Sequence, residues 1–427
     1  MKISIPKGTK DILPQEIQKY KYVQNTFAKI LENYGFDEIR FPVFEYTELF
    51  QRGVGDTTDI VQKEMYTFLD KGGRSLTLRP EGTASVVRSY IENGMSSLPQ
   101  PIKLYYDITA YRYENVQKGR YREFNQIGAE VLGTQSPDAD IEILVMLNHF
   151  FSLMKLKDVQ LNINSIGCKE CRPKYNELLK DFYKDKLDDL CNDCQRRFDT
   201  NPMRLLDCKV EKCREISSGA PMLLDHVCEG CKDHFDQVET GLSEMNVPFV
   251  VNKKIVRGLD YYVRTVFEFM AEGIGAQNTI CAGGRYDSLV EDLGGSDAPG
   301  IGFAIGLERL LDTMENSGFI APVRKNPVLF IAYHGEKAAK LARKLVTELR
   351  NNEVYAEFDI NSRSLKGQLK FADKKNAKYH IVLGENEIES NKTIIKNMEN
   401  QETKEISIDS IVKRIIENKI WGKYAKQ

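Results

Sequence analysis

Eight of the nine cysteines in this chain crowd between Cys168 and Cys231, and only Cys281 lies outside. They fall into four pairs: Cys168 with Cys171, Cys191 with Cys194, Cys208 with Cys213, and Cys228 with Cys231. A two-residue spacer lets one turn offer two thiolates to tetrahedral zinc, and two such pairs complete a four-cysteine site. Eight thiols suffice for two sites, and joining consecutive pairs is the simplest arrangement. His226 and His234 lie near enough to substitute as ligands. The other reading is reduced thiols buried as small apolar groups. Strand signals stop near residue 166 and resume at Leu259–Met270, so residues 166–250 read as a mostly helical insertion into a larger domain. Long apolar runs are few there, and a thin core of that kind often needs a metal staple.

The compartment bears on this choice. Met1–Pro14 carries Lys2, Lys7, Lys10 and Asp11 without an apolar block, so no signal peptide is expected and the cytoplasm is the expected location. Cytosolic cysteines are not read as a disulfide framework. No run approaches the 18 apolar residues of a membrane-spanning helix, and no membrane partner is expected. The 427 residues, 29% of them charged, give a globular profile with room for two to four domains.

Both sides of the insertion carry mixed signals. Residues 15–33 repeat apolar side chains at helical period and end at Gly35. Residues 37–41, 75–80, 102–113 and 121–132 read as strands, with Leu76, Leu78, Leu104, Tyr106 and Ile108 on one face. A buried helix is expected over Asp138–Lys155 and a strand from Val159. Residues 1–165 and 251–320 therefore form one discontinuous domain. Ser317–Asn326 reads as a linker. Residues 327–427 alternate strands (Val328–Tyr333, Val354–Phe358, Tyr379–Leu383) with helices (Lys337–Arg350, Leu365–Asn376), which predicts an α/β domain. This tail holds 19 Lys and Arg against 14 Asp and Glu, net +5, in a chain of net charge −2. A solvated helix face and a nucleic-acid backbone site both fit that surplus.

Several stretches carry chemistry. A strand, a basic loop and a returning strand would project Arg112, Arg120 and Arg122 toward one place, where guanidinium forks suit phosphate oxygens. Phe124 could stack on a base; alternating charges on an exposed hairpin are the plainer alternative. Gly300–Arg309 runs from an apolar strand into a helix, and Arg309 there calls for a phosphate or a structural carboxylate. Arg257–Tyr262 and Ala282–Asp287 mix Gly, Arg, Asp and Tyr. Glu81 and Thr83 end a strand, and Gln126 and Glu130 share one strand face.

Taken together, these stretches resemble the histidyl-tRNA synthetases of class II over nearly the whole chain. Arg112, Glu114, Arg120 and Phe124 look like the second class motif, Gly300–Arg309 like the third, and Gly35–Gly55 like the first, which builds a dimer interface. Arg257–Tyr262 and Ala282–Asp287 are similar to two signatures peculiar to the histidine enzymes. The resemblance implies an α+β fold. Its catalytic domain would be a mainly antiparallel sheet flanked by helices, interrupted by the cysteine-rich insertion and followed by an α/β anticodon-binding domain.

It also implies roles. Arg112 would hold the α-phosphate of ATP, with Glu114 in the same motif. Phe124 would stack on adenine, and Arg120 and Arg309 would contact the outer phosphates alongside Mg²⁺. Glu81, Thr83 and Gln126 would bind the α-amino group of histidine. Glu130 and Tyr262 would read the imidazole, Tyr261 and Tyr286 would line the pocket, and Arg257 would contact the carboxylate and the α-phosphate. Gln117 and Lys118 would meet the acceptor end of tRNA(His); Asn115–Val116 stands where many relatives carry Arg-Pro. The implied protein is a homodimer that activates histidine with ATP and charges tRNA(His), with zinc possible at Cys168, Cys171, Cys191, Cys194, Cys208, Cys213, Cys228 and Cys231. The rival is a histidine-binding regulatory subunit of synthetase descent, expected to lack the tail and to lose signature residues.

Overall fold

The computed structural model describes residues 3–56, 58–156, 158–271, 278–319, 326–418 and 420. It divides into two compact units, Met1–Pro322 and Val323–Gln427. Most of the linker read at Ser317–Asn326 lies outside the described residues.

The first unit opens with α1 (Ile17–Asn33), which buries Tyr20, Val23, Phe27, Ile30 and Leu31 at helical spacing. Gly35, at φ 78°, turns the chain into the short β1 (Asp37–Glu38). β2 (Phe44–Tyr46), α2 (Thr47–Val54), β3 (Thr67–Leu69) and β4 (Ser75–Leu78) follow, and these three strands make a small antiparallel sheet in the order β2-β4-β3. After α3 (Thr83–Glu92) comes a long hairpin, β5 (Ile102–Tyr111) and β6 (Glu123–Leu132). α4 (Pro137–Leu153) starts where the Ser136 side chain accepts the Asp138 N–H, with proline in its first turn. β7 (Val159–Ser165) leads into the insertion, whose helices are α5 (Cys171–Tyr183), α6 (Asn192–Thr200), α7 (Glu211–Ser217) and α8 (Glu229–Glu244). β8 (Phe249–Val251), β9 (Val263–Ala271), β10 (Thr279–Arg285), α9 (Leu289–Asp292), β11 (Gly300–Gly306) and α10 (Leu307–Asn316) complete the unit.

Eight strands form the main sheet in the order β1-β5-β6-β11-β10-β9-β7-β8. All neighbours are antiparallel except β1 with β5 and β7 with β8. Strand alternation sorts its two faces. Tyr105, Ile127, Ala129, Val131, Phe303 and Ile305 pack with Phe27 of α1, Phe150 of α4 and Val238 of α8. Tyr106, Tyr262, Val266 and Tyr286 belong to a second core that includes Tyr175 and Leu179 of α5. The insertion thus shares both cores instead of standing on a thin one of its own. Gln126 and Glu130, in register with Gly306 and Gly302, belong to the alternate set of β6, opposite to Ile127, Ala129 and Val131.

Some readings need correction. Leu76 and Leu78 lie in the small sheet, where Thr77 is the buried residue of β4, not on one face with Tyr106. The strand expected from Leu259 starts at Val263. There the register slips between Gly284–Val266 and Arg285–Val263, and Arg264 bulges out at φ 51°. The consecutive pairing of cysteines is also overturned: the outer pairs, Cys168/Cys171 and Cys228/Cys231, converge, and so do the inner pairs. β7 and β8 are sheet neighbours, so the two ends of the insertion start side by side and its pairs nest.

The second unit follows the expected alternation: β12 (Leu329–Tyr333), α11 (Glu336–Asn351), β13 (Ala356–Phe358), α12 (Leu365–Lys374) and β14 (Tyr379–Leu383). β12 lies parallel to β13 and β14. α13 (Glu385–Ser390), β15 (Lys392–Asn397), β16 (Thr403–Ser407) and α14 (Ile411–Ile416) come after it. β15 and β16 extend the sheet antiparallel, in the order β13-β12-β14-β15-β16, an extension absent from the sequence reading.

Candidate functional site

Two adjoining clefts, of about 580 and 430 Å³, share Arg112, Glu114, Arg120, Gln126, Arg257, Ala282 and Ala304 as walls. The first also takes in Glu81, Thr83, Tyr261 and Tyr262. The second takes in Phe124, Glu268, Thr279 and Arg309. Residues scattered from 81 to 309 therefore meet because β6, β10 and β11 are neighbours and α3 and α10 start beside them.

The second cleft is rich in cations. The Arg112 Nε donates to Pro80 O at 2.8 Å, and its guanidinium lies 5.4 Å from the Phe124 ring centre. Arg120 pairs with Glu114 at 3.0 Å. Arg309 donates to Thr279 O at 2.9 Å. Burial, with the Arg120 charge adding to it, holds the Arg309 pKa down. A polyanion would relieve that repulsion. Arg122 does not join them: its guanidinium stacks 3.5 Å from the Tyr113 ring centre.

The first cleft is more mixed. Glu81 accepts the N–H groups of Thr83 and Ala84 at 2.7 and 2.9 Å, at the start of α3, which fixes its carboxylate. Arg257 forms an ion pair with Glu268 through Nη1. Its buried Nε and the buried Gln126 Oε1 find no hydrogen-bond partner among the described residues. One is a donor and the other an acceptor. A buried polar atom left unpaired costs about 1–3 kcal/mol, so this pair fits a ligand bearing both an anion and a cation.

Glu130 and Tyr286 sit one layer deeper and line neither cleft. Glu130 is 0% exposed. It accepts from Thr83 Oγ1 at 2.8 Å and Tyr106 OH at 3.2 Å, and from the Tyr286 hydroxyl on its other oxygen. Gly302 lies directly opposite, and any Cβ there would overlap Glu130 Oε2. Burial pushes the Glu130 pKa up to about 8, Glu81 adds to the rise, and the three hydroxyls oppose it. An unfolded glutamate ionises near about 4.3. Between those values the folded chain keeps a proton that the unfolded chain releases, so this group's stability contribution falls as pH rises through them. Glu130→Gln removes that loss. The melting temperature of the substrate-free variant, relative to wild type, should climb from about pH 5 to about pH 9. A difference independent of pH would contradict the raised pKa.

Arg285, within the Ala282–Asp287 stretch, lines neither cleft. It is 0% exposed and bonds Asp140, Asp287, Thr134 O and Ser136 O. The His234 ring donates through Nε2 to the Asp140 carboxylate at 3.2 Å, and His226 packs near Tyr175, so neither histidine joins the cysteines. Gln117 and Arg120 close a tight turn, with Lys118 between them near Asp312. The sequence reading missed Glu64, Arg197, Arg204, Asp207 and Lys209, which also wall the first cleft. The last two flank Cys208, which was the one signal available.

The cysteines fit zinc. The ligand atoms of Cys168, Cys171, Cys228 and Cys231 lie within 4.8 Å of one another, as do those of Cys191, Cys194, Cys208 and Cys213. Sγ–Sγ separations are 3.6, 3.9 and 3.9 Å in the outer group and 3.8 Å between Cys191 and Cys208. Tetrahedral bonds of about 2.3 Å to zinc require about 3.8 Å. Backbone N–H groups of Cys228 and Cys191 donate to the sulfurs of Cys171 and Cys213. Burial pushes the Cys168 thiol up, but N–H bonds from Cys171 and Glu170 outweigh it and bring it to about 7.

A family described as histidyl-tRNA synthetase matches residues 8–310, and an anticodon-binding domain matches residues 319–418. The chain belongs to the histidyl-tRNA synthetase family. A protein of Acetivibrio thermocellus named histidine–tRNA ligase is 58% identical over 410 residues, covering 96% of this chain and 98% of that one. One of the same name from Caldanaerobacter subterraneus is 49% identical over 410 residues, covering 96% and 98%. The crystal structure of the apo S. aureus histidyl-tRNA synthetase superposes with a TM-score of 0.83 at 41% identity, covering 97% of this chain and all of that one. The class II synthetase fold with its mainly antiparallel sheet is thereby established. No helix among the described residues is long and apolar enough to cross a membrane.

Proposed function

We propose that this chain is a histidine–tRNA ligase that joins histidine to ATP's α-phosphate and then charges tRNA(His). The observation that carries the reading is the unpaired Gln126 acceptor and the unpaired Arg257 donor, which line one cleft with Arg112, Arg120 and Arg309. Glu81, Thr83 and Gln126 take the α-ammonium, and Arg257 takes the carboxylate. Phe124 stacks on adenine, while Arg112, Arg120 and Arg309 hold the phosphates. Mg²⁺ bound with ATP would neutralise further phosphate charge, with Glu114 among the carboxylates that face the second cleft. Glu130 reads the imidazole together with Tyr262, from beneath Thr83 and backed by Tyr286, and Tyr261 supports their rings.

The substrate carboxylate is already ionised at neutral pH, so activation needs no general base. Its oxygen attacks the α-phosphorus and pyrophosphate leaves. Alignment of two anions and neutralisation of their charge lower the barrier, and both are arginine work. A hydroxyl of the terminal adenosine then attacks the acyl carbon and displaces AMP. Gln117 and Lys118 meet that end of the tRNA, and the second unit binds the anticodon with its basic surplus. Ligase relatives spanning nearly the whole chain favour this reading over a regulatory subunit. The protein works in the cytoplasm as a homodimer, joined through the small sheet, where Val43, Phe44, Tyr46, Phe68 and Leu69 are exposed. Exchange of labelled pyrophosphate into ATP should require histidine, and exchange driven equally by other amino acids would contradict the assignment.

The two cysteine groups hold structural zinc. Elemental analysis of reduced, freshly purified protein should find two zinc ions per chain, with Zn–S distances near about 2.3 Å. Chelation should loosen the insertion before the rest of the unit, seen as faster hydrogen exchange in α5 and α6. Zinc-free protein with an unchanged exchange pattern would reject the metal role.

A further inference from the structure

Arg172, Asn201 and Arg204 belong to none of the synthetase motifs, yet all three grip the Arg257–Tyr262 loop. Arg172 follows Cys171 directly. Its Nη1 donates to Asp260 O at 3.4 Å, and its Nη2 donates to Tyr262 O. Asn201 and Arg204 lie between Cys194 and Cys208, the two middle ligands of the inner group. Asn201 Nδ2 donates to Asp260 Oδ1 at 2.9 Å, and Arg204 Nη1 donates to Arg257 O at 3.3 Å. Arg204 also lies 3.8 Å from Asp59, which Arg197 bonds at 2.8 Å. Each cysteine group therefore reaches the loop through its own arm.

The loop needs such support. It precedes β9, and its own backbone is tied to the body through the Asp260 N–H and Val54 O at 3.2 Å. Gly258 within it gives up backbone stiffness. Arg257, Tyr261 and Tyr262 all project from this segment into the clefts. Charge-assisted bonds to the carbonyls of Arg257 and Tyr262 hold the two residues at its ends. Phe124 on β6 and Arg309 on α10 are positioned by the sheet and need no such help.

We propose that Arg172 and Arg204 are positioning residues for histidine activation, through which the two cysteine groups set the geometry of the histidine end of the cleft. This rests on the assignment of the Arg257–Tyr262 loop to histidine. The test is steady-state pyrophosphate exchange by full-length Arg172→Ala and Arg204→Ala, with zinc content measured on the same samples. Expected is a rise in KM for histidine of about tenfold or more, with KM for ATP within about twofold, because a misplaced loop spoils one substrate's alignment. Zinc content should match wild type. Unchanged kinetics, or equal rises in both Michaelis constants, would overturn the proposal. If Arg172→Ala is recovered unfolded, Arg204→Ala, at the wall of an open cleft, decides the matter alone. Arg257→Ala separates the two levels. If it abolishes activation while these variants do not move KM, only the positioning role fails; if it leaves activation intact, the loop assignment itself fails.

Discussion

Arg257→Ala should lower the rate of histidine-dependent pyrophosphate exchange by at least about 100-fold, the scale for losing one preorganised charge donor. Its side chain lines both clefts, as Arg112 and Arg120 also do. One edge is held by Glu268, and the Nε is left for substrate. The carboxylate that Arg257 would align is the nucleophile itself, so the loss should fall on kcat as well as on histidine KM. The fold should survive, because the side chain lines a cleft that water enters. Melting close to wild type together with exchange within a few-fold of wild type would contradict the role.

Removing residues 327–427 should leave histidine-dependent exchange largely intact and take away most tRNA charging. The second unit has its own core, built from Leu329, Ile331, Val346, Leu349, Ile381 and Ile411. The cores of the first unit contain none of these residues. The removed piece carries a net +5, so affinity for tRNA in the intact protein should also fall with salt. A soluble truncation that charges tRNA normally would refute the anticodon role.

Much of this was legible before any coordinates because it is local. Helical period gave α1 and α4, and strand–helix alternation gave the parallel part of the second sheet. Period two on β6 paired Gln126 with Glu130. Arg112, Arg120, Phe124 and Arg309 were legible through residue chemistry and family likeness together. What escaped was set by sheet neighbours distant in sequence. The nesting of the cysteine pairs follows from β7 lying beside β8, which no spacing encodes. Asp59 and Arg197, 138 residues apart, meet only once the insertion folds back. Arg285 stands in a stretch of Gly, Tyr and Asp that resembles a family signature, yet it lines neither cleft. Its charge is instead spent on Asp140 inside the core. Arg122 and Arg120 read alike in sequence, and the Tyr113 ring is what diverts one of them.

The central claim is that the paired clefts join histidine to ATP for transfer to tRNA. It is tested most directly by incubating purified protein with labelled histidine, ATP and tRNA(His), then counting acid-precipitable label. The account predicts label that requires ATP and is released from the tRNA by mild alkali, as an ester must be. It also predicts little or no label from Arg257→Ala under the same conditions. Histidine that binds the protein yet never reaches the tRNA would contradict it.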